Sequence, residues 1–224
     1  MNILIVSATV FEIAPLQQHL EEHFNKIKPF HYKKNHVNIY LLVTGVGLTA
    51  TAFSLGRMLS EEGQFDLAIN LGVAGAFDKT LKIGDVVQVV SEQFGDLGVE
   101  EATGQFTDLF EMGLAEKNEA PYADGKMSFE VEGFHFLRKV AGLTVNKVHG
   151  TVASIEAIRK KYQPEIESME GAAFFYACLL SNVKCLQIRA ISNYVEPRNR
   201  DNWNLPLAIE NLNKIAWSTI SAIK

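Results

Sequence analysis

The feature that most constrains the fold of this 224-residue chain is the alternation of short apolar runs with segments of helical spacing. The run from Asn2 to Ser7 is apolar and rich in β-branched side chains, which is typical of a buried strand. The segment after it repeats Ile13, Leu16 and Leu20 at the spacing of one helix face. Continued along the chain, this alternation predicts a central, mixed but mostly parallel twisted sheet between two helix layers. The expected fold is therefore a three-layer α/β sandwich in a single domain over residues 1–224. Strands are predicted over residues 2–7, 31–34, 38–43, 67–71, 84–92, 143–148, 165–168 and 184–191, and helices over 12–24, 48–60, 155–162, 170–180 and 207–223.

Charge and composition exclude several classes of partner. The net charge of -5 provides no basic surface for nucleic acid, and no apolar run is long enough to span a bilayer. The first residues lack the basic region of a secretory signal. The two cysteines, Cys178 and Cys185, lie in a hydrophobic region and are expected to be reduced core thiols. These features predict a cytoplasmic protein that binds neither nucleic acid nor membrane.

Two glycine-containing segments follow predicted strands, at the sheet edge where α/β proteins bind ligands. Residues 45–50 read GVGLTA and match the dinucleotide fingerprint, but no acidic residue ends the next strand. A tight strand-to-helix turn is therefore favoured over NAD binding. Residues 72–75 read GVAG and are predicted to form a second turn, whose small side chains would let the backbone approach a ligand.

A zinc-like pattern, HLEEH, occupies residues 19–23 of the first predicted helix. It would bring His19 and His23 to one helix face, beside the apolar stripe, where solvated polar residues normally lie. The other histidines add no ligand at a suitable spacing. We therefore predict neither a metal nor any other cofactor.

The segment around Glu170 carries the most specific signal. An acidic residue at a helix N-terminus is often purely structural, because the helix dipole favours it. Here, however, Met169 precedes the acid and Gly171-Ala172-Ala173 follow it, which leaves space beside the carboxylate. Three motifs together resemble those of the nucleoside phosphorylase superfamily, and their order and spacing resemble its hydrolase branch. They are Met-Glu-Gly-Ala-Ala, Gly-Val-Ala-Gly followed by Ile-Gly-Asp-Val-Val, and Arg-Ala-Ile-Ser. The resemblance spans the chain except residues 95–133.

This resemblance implies a purine nucleoside as substrate and N-glycosidic bond cleavage as the reaction. It implies that Met169 packs on the ribose, that Glu170 binds the ribose hydroxyls, and that Glu12 activates the attacking water. An anion near the sugar would stabilise the positive charge that develops as the base departs. The further substrate-binding residues that it implies are Val73, Ala74, Gly75, Ser168, Ser192 and Trp203.

The absence of basic residues near the two turns bears on the nucleophile. Residues 7–12 and 67–71 contain no Arg or Lys, whereas phosphorylases need cations to hold phosphate. A phosphate dianion beside Glu12 without such cations would be strongly unfavourable. Water is therefore the expected nucleophile.

Asn193 is a departure from the adenine-releasing members, which have Asp after Ile-Ser. An amide does not titrate near neutrality, so Asn193 cannot act as a general acid. Its NH₂ can donate to a 6-oxo group and its carbonyl can accept an N7–H, which matches hypoxanthine or guanine and mismatches adenine. A mispaired buried polar group costs about 1–3 kcal/mol. The sequence therefore predicts a 6-oxopurine leaving group.

Two stretches, residues 191–201 and 95–100, resemble the branch that hydrolyses futalosine to hypoxanthine in menaquinone biosynthesis. Such a substrate needs space at its 5′ end. Arg198 and Arg200 are candidate cations there, and either Phe106 or Phe110 could close this end. The 5′ substituent is otherwise left open. The resemblance also implies a homodimer or a larger homo-oligomer.

Three alternatives remain open at this point. One is a phosphorylase acting on inosine or guanosine, and another is a methylthioadenosine/S-adenosylhomocysteine-type nucleosidase that tolerates Asn193. The third is a purine-binding module without turnover, against which the pair Glu12 and Glu170 argues, because binding alone needs no water-activating carboxylate.

Overall fold

The computed structural model describes residues 1–61, 64–131, 133 and 136–222. The strands are β1 (Asn2–Ser7), β2 (Asn25–Lys28), β3 (His31–Lys34), β4 (Val37–Val43), β5 (Leu67–Ala76), β6 (Val86–Phe94), β7 (Gly98–Glu100), β8 (Phe106–Asp108), β9 (Met127–Ser128), β10 (Arg138–Thr144), β11 (Ile166–Ser168) and β12 (Cys185–Tyr194). The helices are α1 (Val10–His23), α2 (Leu48–Glu61), α3 (Val152–Tyr162), α4 (Gly171–Leu180) and α5 (Leu205–Ser221). A single turn of 3₁₀ helix, Arg200–Asn202, precedes α5.

The main sheet has the strand order β11-β10-β6-β12-β5-β1-β4-β3-β2, with β9 paired to β6. The neighbours β1–β4, β1–β5, β5–β12, β6–β10 and β10–β11 run parallel. The pairs β6–β12, β6–β9, β2–β3 and β3–β4 run antiparallel. The sheet is therefore mixed and mostly parallel at its centre, as the alternation of elements predicted.

Helices cover both faces of this sheet, and β1 shows why its sequence is apolar throughout. Ile3 and Ile5 pack into the core under α1 and α5, whereas Leu4 and Val6 pack into the core under α2 and α4. Successive strand side chains point to opposite faces, so a strand covered on both sides must be apolar at every position. The predicted three-layer α/β sandwich is confirmed.

Strand β11 closes one end of the sheet because it pairs on both of its edges. It runs parallel to β10 and antiparallel to β5, with Glu167 opposite Gly75. The residues that follow β11 therefore enter α4 directly beside the carboxyl end of β5. This closure brings the Met169-Glu170 pair next to the ends of β1, β5 and β12.

The start of α1 is fixed from two sides. Thr9 caps it and forms a capping box with Glu12. Pro15 lies inside the helix, and the side chain of Asn213 from α5 inserts into the adjoining backbone. Asn213 accepts from the Leu16 N–H at 2.9 Å and donates to the Glu12 carbonyl at 2.8 Å. Helix α5 therefore holds the main chain of Glu12 in place.

One predicted element is wrong. Residues 72–75 were expected to form a turn after a strand over 67–71, but β5 continues through them to Ala76. Their partner is β12, whose pairing places Gly72 opposite Arg189 and Gly75 opposite Asn193. The glycines are needed because side chains approach closely there, not because the chain reverses.

Other differences concern boundaries and strands that were not predicted, among them β2. The strand expected over 143–148 is β10, which ends at Thr144, and the strand expected over 184–191 extends to Tyr194 in β12. The stretch 95–133, expected to be irregular, contains the β7–β8 hairpin and β9. The last predicted helix is α5, and its expected end at Ile223 lies outside the described residues. Across the part of the chain that the structure describes, no helix is both long and apolar enough to cross a bilayer.

Candidate active site

A cavity of about 340 Å³ opens at the carboxyl ends of β1, β5 and β12, where α/β sheets bind ligands. The catalytic and substrate-binding residues that the resemblance implied all line it, although they come from five separate segments of the chain. They are Glu12, Val73, Ala74, Gly75, Ser168, Met169, Glu170, Ser192, Asn193 and Trp203. The cavity is large enough for a nucleoside-sized ligand.

Glu12 presents one well-anchored carboxylate to the cavity. Its Oε2 accepts hydrogen bonds from the Thr9 N–H at 3.1 Å, the Thr9 hydroxyl at 2.9 Å and the Ser7 hydroxyl at 3.3 Å. Among the described residues, the one donor to its Oε1 is the Val73 N–H, at 3.2 Å. Because a carboxylate oxygen can accept two hydrogen bonds, Oε1 retains the capacity to bind a water. The capping box that starts α1 thus also orients this carboxylate.

Glu170 is the N-cap residue of α4, but its side chain does not cap the helix. Instead, Oε1 accepts from the Gly47 N–H at 3.2 Å, and Oε2 lies 3.5 Å from Nη1 of Arg189. Burial raises the pKa of Glu170, while the Arg189 charge and the Gly47 N–H oppose this rise. The glycine turn at residues 45–47 therefore supplies a backbone donor to the carboxylate, not a dinucleotide site.

Arg189 is a buried residue beside Glu170 for which no role was predicted from the sequence. It is 1 % exposed, it donates to the Asn70 side chain through Nη2, and it lies under the cavity beside Glu170. A Cβ on Gly72 would come within 2.1 Å of its Nη1, so the glycine is what admits the guanidinium. An arginine inside the otherwise apolar β12 run was the signal that could have revealed it.

The position of Arg189 corrects one premise about the nucleophile. The stretches 7–12 and 67–71 contain no cation, but a guanidinium from β12 does lie close to Glu12 and Glu170. Arg189 does not line the cavity, and its charge is offset by these two carboxylates. It is therefore unavailable as a binding group for an anion in the cavity.

Glu92 forms a second buried acidic centre behind the first turn of α4. Its Oε1 accepts from the Gln187 amide at 2.7 Å, and its Oε2 accepts from the Thr144 hydroxyl at 2.8 Å. The Thr144 hydroxyl in turn accepts from the Ala172 N–H at 2.8 Å. Burial raises the pKa of Glu92 to about 7, against the hydrogen bonds from Gln187 and Thr144. This network anchors the first turn of α4, directly after Glu170.

Asn193 lines the cavity from the carboxyl end of β12. Its Oδ1 accepts from the Ser192 hydroxyl at 2.8 Å, and its Nδ2 donates to the Tyr194 carbonyl at 3.0 Å. Each amide atom therefore keeps one free hydrogen-bonding position. A Cβ at Gly75 would lie 3.1 Å from Nδ2 of Asn193, so a larger residue at position 75 would crowd the amide.

Two larger side chains complete this end of the cavity. The Arg198 guanidinium lies over the Trp203 ring at 5.2 Å, and both residues line the cavity. This stacking gives a flat, partly cationic wall.

A buried histidine–carboxylate pair adjoins Asn193. The Nδ1 of His149 contacts Oε2 of Glu167, and the His149 main-chain N–H donates to Oε1 of Glu167 at 3.1 Å. Their side chains are 10 % and 3 % exposed. The sequence analysis assigned no role to either residue.

The remaining sequence candidates lie away from the cavity. Phe106 belongs to β8, where Lys161 lies over its ring, and Phe110 packs edge-on against Tyr122 at 5.0 Å. Neither phenylalanine lines the cavity, and Arg200 is exposed in the 3₁₀ turn.

The HLEEH pattern forms a surface cluster on α1. Ligand atoms of His19, Glu22 and His23 lie within 4.8 Å of one another. The His19 ring stacks on Trp217 of α5 at 5.0 Å, so packing between two helices already accounts for its position. The cluster is remote from the cavity at the strand ends.

Comparison with known proteins is consistent with this architecture. The family model described as the phosphorylase superfamily matches residues 2–221. A futalosine hydrolase of Acidothermus cellulolyticus is 33% identical over 178 residues, which cover 77% of this chain and 71% of that protein. A 5′-methylthioadenosine/S-adenosylhomocysteine nucleosidase of Colwellia psychrerythraea is 26% identical over 169 residues, or 70% of this chain and 67% of that protein.

The solved structure of a futalosine hydrolase from Helicobacter pylori superimposes with a TM-score of 0.80. The alignment covers 100% of this chain and 98% of that one at 16% sequence identity, so it bears on the fold alone. The family of the chain is shown by two other findings, the family match over residues 2–221 and the relative at 33% identity. This chain is a member of the phosphorylase superfamily, and it is related within that superfamily to the futalosine hydrolases.

Proposed function

We propose that the protein hydrolyses the N-glycosidic bond of a 6-oxopurine nucleoside. The substrate that we propose is futalosine, and the products are hypoxanthine and dehypoxanthine futalosine. The observation that carries this proposal is the convergence of two carboxylates, Glu12 and Glu170, and one amide, Asn193, around a single cavity. The similarity to futalosine hydrolases supports the choice of substrate.

At the ribose end, the two carboxylates have separate tasks. Glu170 accepts hydrogen bonds from the 2′- and 3′-hydroxyls, and its negative charge stabilises the oxocarbenium ion that forms as the base leaves. Glu12 accepts a proton from the attacking water through the free position on Oε1. Val73 reinforces this arrangement, because its main-chain N–H holds the same oxygen at 3.2 Å.

At the base end, Asn193 selects the 6-oxopurine. Its free N–H donates to O6, and its free carbonyl position accepts a proton borne by the imidazole half of the purine. An adenine amino group at the same place would face a donor, at a cost of about 1–3 kcal/mol. The stacked pair Trp203 and Arg198 offers a flat surface for the ring.

Water is the nucleophile in this proposal. The cavity contains two carboxylates at the ribose end, and the nearby guanidinium of Arg189 is buried beneath them. A phosphate dianion placed beside both carboxylates would be repelled, and among the described residues the cation that lines the cavity is Arg198, which stacks on Trp203. A neutral water meets no such barrier.

The cellular setting is part of the same proposal. The reaction would belong to menaquinone biosynthesis in the cytoplasm, and the enzyme would act as a homodimer or a larger homo-oligomer. An apolar groove of about 670 Å³ lies between α2, α4 and the segment around β7, and Leu48, Leu97 and Tyr176 line it. A second copy of the chain would remove this apolar surface from water.

A panel of nucleosides without phosphate tests the function. Futalosine, inosine, guanosine and methylthioadenosine are incubated with the protein while free base is followed. We expect phosphate-independent release of hypoxanthine from futalosine at the highest rate. Release that requires phosphate and yields a sugar phosphate would identify a phosphorylase instead, and a comparable rate with methylthioadenosine would identify an adenine-type nucleosidase.

The variant Glu12→Gln provides the matched test of mechanism. It should lose most of the turnover, because general-base catalysis contributes about 10²–10⁴-fold, while it still binds hypoxanthine. Binding of hypoxanthine by the wild-type protein without turnover of any nucleoside would indicate a purine-binding module.

A further inference from the structure

The His149–Glu167 pair lies at the base end of the cavity and has no task in the reaction as described so far. His149 lines a small pocket of about 60 Å³ together with Asn193 and Trp203. This pocket shares Glu167, Asn193 and Arg198 with the larger cavity, so the two spaces adjoin. A volume of this size can hold a water.

The orientation of the imidazole is fixed by its partner. Glu167 holds Nδ1 of His149, and it also accepts the main-chain N–H of the same residue at 3.1 Å. Within the described residues, Nε2 of His149 has no hydrogen-bond partner, although it is not shut off from the pocket. The ring is therefore held by one nitrogen and leaves the other available, as in the histidine–carboxylate pairs of general acid–base catalysis.

The reaction needs a proton at this end. When the C1′–N9 bond breaks, its electron pair passes to the purine, which departs easily only if a ring nitrogen is protonated. Asn193 can bind that edge of the base, but its amide has no proton to transfer. Glu12 and Glu170 lie at the ribose end and act there as proton acceptor and anion.

The other titratable or charged groups that line the pocket cannot supply this proton. Hydrogen bonds from Asn202 and Lys79 hold the pKa of Glu196 below its usual value, so it is ionised. Arg198 does not release a proton at any ordinary pH. The Tyr194 hydroxyl already donates to the Leu81 carbonyl at 3.0 Å. Both carboxylate oxygens of Glu167 already contact His149, one through Nδ1 and the other through the main-chain N–H. Of the groups lining this pocket, His149 therefore remains.

We propose that His149, held by Glu167, is the general acid that protonates the departing 6-oxopurine. The proton moves from Nε2 to a nitrogen of the imidazole half of the purine, directly or through one water in the pocket. The electron pair of the C1′–N9 bond goes to the base, an oxygen of water bonds to C1′, and the proton of that water passes to Glu12. Exchange with solvent then returns a proton to His149 and removes the proton that Glu12 accepted. This inference rests on the proposed function.

A substrate that needs no protonation provides the test. Futalosine methylated at N7 carries a cationic base, which can leave without a proton from the enzyme. We expect His149→Gln to lower kcat for futalosine by about 100-fold or more, in the range of general acid catalysis, and to change kcat for the methylated substrate by less than about 5-fold. Glu167→Gln should show the same selectivity with a smaller loss. His36→Gln, an exposed histidine in the β3–β4 turn, is the matched control and should leave both rates unchanged.

The pH dependence of kcat gives a second readout that a purely structural role would not change. A basic limb that the pH profile of kcat shows in the wild-type protein should be absent in His149→Gln. An equal loss of rate on both substrates, or a basic limb that persists in His149→Gln, would overturn the inference. If the wild-type protein hydrolyses no 6-oxopurine nucleoside, the proposed function itself fails. Suppose instead that the wild-type protein hydrolyses such a nucleoside and that Glu12→Gln lowers the rate equally on both substrates. If His149→Gln then also lowers both rates equally, only the inference fails.

Discussion

Replacing Glu92 by Gln should remove a pH dependence from the stability of the protein. Glu92 is fully buried, and burial raises its pKa from 4.5 to about 7. The folded protein therefore holds this proton more tightly than the unfolded chain does, so the free energy of unfolding falls as the pH rises from about 4.5 to 7. A difference of 2.5 pKa units at about 1.4 kcal/mol each amounts to about 3–4 kcal/mol over this window.

Glutamine resembles the protonated acid in shape and carries no charge, so its contribution should not vary with pH. Its amide oxygen can still accept from the Gln187 side chain, as Oε1 of Glu92 does. Unfolding by urea at pH 5 and at pH 8 gives the free energies of wild-type and variant proteins, and contributions from all other titrating groups cancel in the difference. We expect Glu92→Gln to gain about 3 kcal/mol relative to wild type between the two pH values. A difference that does not vary with pH would refute the assignment of a raised pKa to Glu92.

The other predictions concern the framework of the site. Gly72→Ala should cost about 1–3 kcal/mol of stability and most of the activity, because its Cβ would meet the buried guanidinium of Arg189 at 2.1 Å. The control is Gly56→Ala, in a helix where the added Cβ would have no atom within 4 Å, and it should stabilise the protein by about 0.5–1 kcal/mol. Thermal unfolding measures the stability of both variants. Asn213→Ala should cost about 2–4 kcal/mol, because the Leu16 N–H and the Glu12 carbonyl lose their partner, and a larger loss in kcat than in KM would indicate displacement of Glu12. Asn193→Asp should lower 6-oxopurine turnover and admit adenine nucleosides, and an unchanged base preference in the nucleoside panel would contradict its role.

The fold could be predicted from the sequence because local pattern and burial agree in the central strands. Leu4 and Val6 face one core and Ile3 and Ile5 face the other, so the apolar run in β1 correctly predicted a strand covered on both faces. The same logic failed in β5, where small residues were interpreted as a turn. Nothing local distinguishes a glycine that reverses the chain from one that admits a side chain of the neighbouring strand, as Gly72 does for Arg189.

The candidate site was predictable where its residues form contiguous motifs, as around Glu170. It was not predictable where a residue acts through pairing across the sheet. Arg189 becomes informative only once β12 is aligned with β5, and the contact of His149 with Glu167 depends on a loop that meets a strand 18 residues later. Asn213 is more remote still, since it contacts the Glu12 main chain from 201 residues away.

Because β11 pairs on both of its edges, the selectivity of the proposed site for the base is linked to its selectivity for the sugar. In the proposed site Glu167 adjoins the base and Glu170 adjoins the sugar, and only three positions separate them. At the start of this segment, Ile166 and Glu167 are held by β10 on one edge and by β5 on the other. Inserting or deleting one residue there would shift both ends of the nucleoside site at once. Changes of base preference are therefore more accessible on β12, where Asn193 stands apart from the sugar-binding residues, than within the short segment that joins the two ends.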